Sequence, residues 1–262
     1  MNSALKTADA GILNRKPIDI SPFELVPVIT RTCRKYANKK NSRFNLRLGI
    51  AKNYGVSRPE LRKITKNTLN MVKFNHKEMK EFVHLLWKIN NNEEKTISLM
   101  IIADSIKKDP RYFDVFSLKD LKNIVNSVSS WDLADFFATE ILGRYLIHNY
   151  RNFGIIKNWC KDKNPWVRRI YSISSWGYFS SSGVISKRIT ERSLSIINNV
   201  ISDPAKPVKT GTEWALRNIC KRDWKNCYQH YKFWKKIKDP TVAWIIRKSS
   251  IFMPSKFRKN IQ

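Results

Sequence analysis

Four side chains of this 262-residue chain could do chemistry together if the fold lets them meet: Trp131, Asp135, Arg169 and Trp214. They lie in three segments, Ser129-Ser130-Trp131-Asp132-Leu133-Ala134-Asp135-Phe136, Asn164-Pro165-Trp166-Val167-Arg168-Arg169-Ile170 and Lys209-Thr210-Gly211-Thr212-Glu213-Trp214-Ala215-Leu216-Arg217. Trp131 and Asp135 are four apart, so on a helix both project from one side near its N-terminus, while Leu133, Phe136 and Phe137 take the other side. Taken alone, a Trp on a helix usually belongs to a core, and an Asp early in a helix is favoured by the dipole. Arg168 and Arg169 have no such ordinary explanation. A guanidinium in the first turns of a helix opposes the dipole, and that helix otherwise reads apolar through Ile170, Ile173 and Trp176, so a bound anion accounts for the pair better. Lys209 heads the third segment as a further cation.

Bringing these segments together needs a repeating scaffold. Trp131 and Arg169 are 38 residues apart, and Arg169 and Trp214 are 45 apart. Each interval is about one helix pair of a HEAT or armadillo unit, and equivalent positions on consecutive units face the same surface. Helical spacing recurs along the chain, and strand-like alternation is scarce. Ser21-Pro22 opens a helix running to about Lys40, which the Lys/Asn/Arg stretch Lys39 to Arg43 breaks. Ser57 caps the next helix. His76 to Ile89 and Asn92 to Ile106 follow, the latter ended by Asp109-Pro110. Ser117 and Asp120 make a capping-box-like start to a helix reaching Val128, and Ser130 caps Trp131 to Leu146. Tyr150 to Cys160, Asn164-Pro165 to Tyr178, Ser186 to Ile201, Pro207 to Cys220, Trp224 to Ile237 and Pro240 to Lys248 complete the series, with a flexible loop at Ser180 to Gly183. The predicted fold is all-α: a HEAT-like, ARM-type solenoid of antiparallel helix pairs with a basic concave face. Residues 1–20 are expected to be a loose leader, 21–250 a single domain and 251–262 a basic tail. An irregular helical bundle fits the helix count too, because no repeat is exact.

Composition narrows the partners. Lys and Arg total 50 against 21 acids, for a formal charge of +29. Such an excess favours a polyanion, nucleic acid or anionic membrane. Compositional drift would exchange Arg for Lys without removing acids. With 42% apolar residues and nine Trp, the chain is no disordered basic tail. Cys33, Cys160, Cys220 and Cys227 form no CxxC pair, and the four His are scattered, so neither a zinc site nor a disulfide framework is expected. There is no secretory signal, no spanning segment and no strongly amphipathic basic terminal helix to lie on a membrane.

The combination of segments resembles the AlkD-type DNA alkylation repair proteins, HEAT-like DNA glycosylases. The matching stretches are Tyr54-Gly-Val-Ser-Arg-Pro-Glu-Leu-Arg62, Leu86-Trp87 with Glu93-Glu94-Lys95, Ser130-Trp-Asp-Leu-Ala-Asp135, Ile141-Leu-Gly-Arg-Tyr145, Asn164-Pro-Trp-Val-Arg-Arg-Ile170, and Trp214-Ala-Leu-Arg217 with Lys221-Arg222-Asp223. They span about residues 50–225 in the family's order. The resemblance puts the family's catalytic Trp-x3-Asp on Trp131 and Asp135, its phosphate-binding Arg on Arg169, and its second aromatic surface on Trp214. Arg168 and Lys209 are further phosphate candidates. Catalytic relatives carry a Tyr about nine residues before the Gly of the Tyr54-Gly55-Val56 motif. Here that position is Leu46, with Phe44 and Tyr54 as the nearby aromatics for the lesion site.

The resemblance implies a monomeric, cofactor-free and metal-free DNA glycosylase acting on cationic N3- or N7-alkylated purines in duplex DNA, working in the cytoplasm on the nucleoid. A cationic purine leaves without a general acid, so one carboxylate suffices. Asp135 would stabilise the oxocarbenium-like sugar and position water, Trp131 and Trp214 would offer electron-rich faces, and Arg169 would hold a phosphate. An open aromatic surface does not suit extrusion of the base into a tight pocket. Two other functions fit parts of the sequence. One is a non-catalytic HEAT-like DNA binder, which Leu46 and the high charge favour. The other is a protein-interaction scaffold, which explains neither the charge nor the shared face.

Overall fold

The computed structural model describes residues 20–149, 151 and 153–261. The expected leader, 1–20, lies outside them except for Ile20. The described secondary structure is helical throughout. The α-helices are α1 (Pro22–Lys35), α2 (Lys39–Arg47), α3 (Arg58–Met71), α4 (His76–Lys88), α5 (Asn92–Lys108), α6 (Tyr112–Val115), α7 (Leu118–Asn126), α8 (Trp131–Phe136), α9 (Gly143–His148), α10 (Phe153–Lys157), α11 (Pro165–Ser181), α12 (Lys187–Asn198), α13 (Lys206–Lys235), α14 (Pro240–Ser249) and α15 (Ser255–Lys259). The described residues form two compact units, divided in sequence between Ile124 and Val125.

In the first unit, α5 is the buried element. It has buried residues on nearly every face, Ile97, Leu99, Ile101 and Ile102 among them, and packs against α1, α3 and α4. Its neighbours show one apolar stripe each and begin at reciprocal caps, Ser21 with Glu24, Ser57 with Glu60 and Asn75 with Glu78, in which side chain and backbone satisfy each other's orphan donors. The Lys39 to Arg43 stretch, expected to break a helix, instead forms α2, and α1 stops at Lys35. α2 buries no residue, so it leaves no apolar period to detect. It is tied down by polar bonds: Asn38 Oδ1 accepts from Asn41 N, Asn41 Nδ2 donates to Gly55 O, and Ser42 Oγ donates to Asn53 O.

The second unit is built on parallel helices. Ser172 and Thr212 hydroxyls meet at 2.7 Å, Arg169 Nη1 donates to Thr210 Oγ1 at 3.0 Å, and the Trp176 and Trp214 rings lie 6.4 Å apart. Partner numbers rise together, so α11 and α13 run parallel with an offset of about 40 residues, the length of one helical repeat. The Tyr171 hydroxyl accepts from Asn199 and that of Tyr178 from Arg192, so α12 and its end return antiparallel between them. One repeat earlier, Asp135 meets Arg169 and Gly143 meets Gly177, so residues 131–148 also run parallel to α11. A Cβ on Gly177 would overlap Ala138 O and lie 3.0 Å from the Thr139 Cα, so only glycine permits this approach. The chain widens into a π-helical turn over Phe137–Leu142 at this crossing, so the expected continuous helix from Trp131 to Leu146 is three pieces reaching His148.

Four further expectations are adjusted. Ser130 stands at the cap position of α8, but its side chain makes no capping bond. Seryl hydroxyls that bond back to carbonyls three residues earlier extend α11 through Ser181, leaving the loop to centre on Gly183 at φ +71°. The helix expected over Tyr150 to Cys160 is α10 followed by a 3-10 turn, Asn158–Lys161. Residues 251–261, expected as a basic tail, pack through their apolar side chains: Met253 and Ile261 are buried in the C-terminal core, and the Phe257 ring lies 4.9 Å from Trp224 and 5.1 Å from Tyr228.

Candidate functional site

Asp135, Arg169 and Thr210 are each the fifth residue of their helix, α8, α11 and α13. Because these helices run parallel, the three positions fall at one level, and the positive ends of three backbone dipoles point the same way. Arg169 is the hub. Its Nε donates to Asp135 Oδ1 at 2.7 Å and its Nη2 to Asp135 Oδ2 at 2.9 Å, a bidentate pair. Its Nη1 donates to Pro207 O at 2.7 Å and to Thr210 Oγ1 at 3.0 Å. Arg169 is only 7% exposed.

Gly211 makes room for this hub. A Cβ there would lie 3.0 Å from Arg169 Cγ and 3.2 Å from its Nη1. A glycine inside a helix costs about 1 kcal/mol relative to alanine, and here it buys the space for a guanidinium stem. Burial pushes the Asp135 carboxyl above its ordinary value, the Arg169 bonds pull it back, and Asp132 adds to the upward push. The net direction is upward, and the bonds from Arg169 are the interaction that favours the ionised form.

Trp131 is four residues before Asp135 on α8 and 39% exposed, so it is a surface indole rather than a core one. Trp214 is one turn beyond Thr210 on α13. It is half-buried and meets Trp176 edge-on at 86°, while the Arg222 guanidinium lies 5.6 Å from the Trp176 ring centroid. The structure therefore joins Asp135 to Arg169 directly, with Trp131 four residues before Asp135 on α8 and Trp214 four residues beyond Thr210 on α13.

Arg168 and Lys209, the further phosphate candidates, each have a partner within the protein. Arg168 points away from the pair. Its Nε and Nη2 take both oxygens of Asp203, at 2.6 and 3.3 Å, and its Nη1 donates to Asp162 O at 2.7 Å. It ties the turn before α11 to the turn before α13, and Asp203 supplies the anion that its position called for. Lys209 is turned toward α14, its Nζ 4.5 Å from the centroid of the Trp244 ring.

Tyr54 and Phe44 belong to the first unit. The Tyr54 hydroxyl accepts from Arg34 Nε at 3.4 Å. Phe44 and Leu46 are both exposed on α2, at 59% and 50%. Sequence reasoning quoted Glu93 but gave it no role. Its buried Oε1 accepts from three consecutive amides, Tyr54 N at 3.0 Å, Gly55 N at 2.8 Å and Val56 N at 3.2 Å. Gly55 has φ +78° and its Cβ position is filled by Asn38 O and Ser42 N, so only glycine fits this turn. Burial pushes the Glu93 carboxyl upward, opposed by those amides. The frame around Arg169, namely Pro207 O, Thr210 and Gly211, also escaped the sequence; Gly211 inside a helix was the available signal.

Among the described residues, no cluster of three or more His, Cys, Asp or Glu could hold a metal, and no helix is long and apolar enough to cross a membrane. The sequence profile of a family described as DNA alkylation repair enzyme matches residues 29–238. Among curated proteins, none matches the sequence. Two solved structures from Streptococcus mutans are similar in fold. AlkD2 aligns over 90% of this chain and 100% of its own, with a TM-score of 0.64 and 14% identity. The protein smu.31 of strain UA159 aligns over 85% of this chain and 100% of its own, with a TM-score of 0.57 and 16% identity. The helical repeat is thus an AlkD-type fold.

Proposed function

Because the chain belongs to the DNA alkylation repair enzyme family, we propose that it is a monofunctional DNA glycosylase that releases cationic N3- and N7-alkylated purines from duplex DNA. The observation that carries this proposal is Asp135, gripped by Arg169 through both carboxyl oxygens and four residues from an exposed indole on α8. Departure of a purine that is already cationic leaves positive charge on the deoxyribose. Asp135 stabilises that charge and orients the attacking water, which adds to the anomeric carbon as the glycosidic bond breaks. Trp131 and Trp214 add electron-rich faces, each worth about 0.5–2 kcal/mol toward a cation. Arg169 uses four of its five N–H groups on the protein, so its first role is to hold Asp135 in place; the remaining Nη2–H is the one it offers a backbone phosphate. Neither metal nor cofactor enters the reaction, the working unit is a monomer, and the protein acts where the chromosome is.

The test is incubation of the purified protein with duplex DNA methylated on purines, with free 7-methylguanine and 3-methyladenine read by mass. Release of both is the expected result. A second function, DNA binding without excision, is favoured by one observation: the bidentate pairing that fixes Asp135 also partly neutralises it. Tight, salt-sensitive binding with no released base selects that alternative.

A further inference from the structure

Away from the Asp135–Arg169 pair, a cavity of about 680 Å³ opens between the first turn of α13, the end of the same helix and α14. Lys209, Lys235, Lys238 and Arg247 line it. Among the described residues Asp239 is the one carboxylate in its wall, and its Oδ1 is already occupied as the cap of α14, accepting from Thr241 N at 2.7 Å and Val242 N at 3.0 Å. Among the described residues, neither Lys209 nor Lys238 has a carboxylate partner. Trp244 forms one side, with the Lys209 ammonium held over its ring, and Val242 and Ile246 contribute apolar floor.

We propose that this cavity binds a nucleoside phosphate, with the phosphate among the cations, drawing the Lys209 ammonium off the Trp244 ring, and the base on the indole face it leaves. Each half of the lining narrows the ligand class. Lys209 and Lys238, without a carboxylate partner among the described residues, call for an anion. An indole over an apolar floor calls for a flat ring, and base–aromatic stacking is worth about 1–3 kcal/mol. The volume lies within the range of about 300–1,000 Å³ that small-molecule sites occupy. A neutral ring would leave the ammonium groups unanswered, and inorganic phosphate would leave the floor wet. Lys209 and Thr210 are neighbours on α13, one lining this cavity and the other holding Arg169. A nucleotide in a strand passing Asp135 is therefore one source of the ligand, and a free nucleotide is the other. The strand source rests on the DNA-repair proposal; the chemistry of the cavity does not.

The experiment titrates the full chain with dAMP and with inorganic phosphate by calorimetry, and with a labelled unmethylated duplex by anisotropy at several salt concentrations. It uses wild type, Lys238→Ala and Trp244→Leu, each checked by circular dichroism and melting. Lys238 is exposed in the connector before α14, so its variant keeps the fold. We expect dAMP to bind wild type more tightly than phosphate does and to lose at least tenfold in affinity in both variants. If the ligand is a nucleotide of the strand, duplex affinity also falls in both, and Lys238→Ala lowers the log–log salt slope by about 0.9. Loss of dAMP binding with unchanged duplex affinity assigns the site to a free nucleotide. Absence of dAMP binding, or variants that bind it as wild type does, overturns the proposal, whatever happens to duplex affinity. None of these readouts depends on base release, so a failed glycosylase assay leaves them intact.

Discussion

Replacing Arg169 with methionine keeps an apolar stem beside Gly211 and deletes the guanidinium, so it isolates what the charge does. Four hydrogen bonds disappear, two to Asp135 and one each to Pro207 O and Thr210 Oγ1. The side chains of the pair are 8% and 20% exposed, so Asp135 is left as a largely buried carboxylate with no counter-charge. Removing one partner of a buried pair costs about 3–5 kcal/mol. The residual access of Asp135 to water puts the expected loss near the lower end, about 3 kcal/mol. Asp135→Asn strands the Arg169 charge instead and should cost about 2–3 kcal/mol by the same reasoning. The double variant has no stranded charge and should lose only about 2–3 kcal/mol in total, giving a coupling energy of about 3 kcal/mol, at the top of the range for directly interacting groups. Urea denaturation of the four proteins at neutral pH, followed by circular dichroism, measures the cycle. The penalty of Arg169→Met should also shrink in acid, because the unpartnered Asp135 then takes up a proton and its burial is no longer the burial of a charge. Additivity of the two single changes to within about 0.5 kcal/mol would refute the pairing.

Other consequences follow from the same geometry. Gly177→Ala forces a methyl into Ala138 O and the Thr139 backbone, and should destabilise by about 1–3 kcal/mol or more, seen as a lowered melting temperature. Glu93→Ala leaves three amides of residues 54–56 without an acceptor, at about 1–3 kcal/mol for each group that stays buried; hydrogen exchange at those amides should quicken, and unchanged protection would count against Glu93 as their anchor. Burial holds the Asp135 carboxyl above its ordinary range. Excision should therefore decline as pH is lowered, with a midpoint above that of a free aspartate. The sign for stability is opposite: a carboxyl whose folded pKa is raised favours the native state at low pH, and that contribution is lost as pH rises through the folded value.

Local features of the fold were legible in the sequence, and long-range pairings were not. Ser21-Pro22 and Ser57 were readable as helix starts because capping chemistry lies within four residues, and Ser117 with Asp120 forms the reciprocal bonds its spacing implied. The break between Cys220 and Trp224 was also readable. There, Asp223 leaves helical geometry at φ −143° and bonds Thr190 and Asn226, restarting the chain as a second helical segment. α2 was unreadable because its support is asparagine and serine bonds to another segment, with no buried stripe. In the candidate site, helical spacing put Trp131 and Asp135 on one side of the segment that forms α8, and the interval to Arg169 placed it one repeat on. What spacing could not give was the partner of each arginine. Arg168 and Arg169 are adjacent, yet one turns to Asp203 and the other to Asp135, because neighbours on a helix point about 100° apart. Both were expected to face phosphate, and each is paired with a protein carboxylate.

The most direct test of the central claim compares wild type and Asp135→Asn on one methylated duplex, recording in each case the affinity for the DNA and the single-turnover rate of 7-methylguanine release. Loss of one electrostatic stabiliser at a reacting centre typically lowers the rate by about 10²–10³. The expected result is a drop of at least that size with affinity within a few-fold of wild type. A variant that binds and releases the base at the wild-type rate would contradict the assignment of Asp135 as the carboxylate that makes this chain an enzyme.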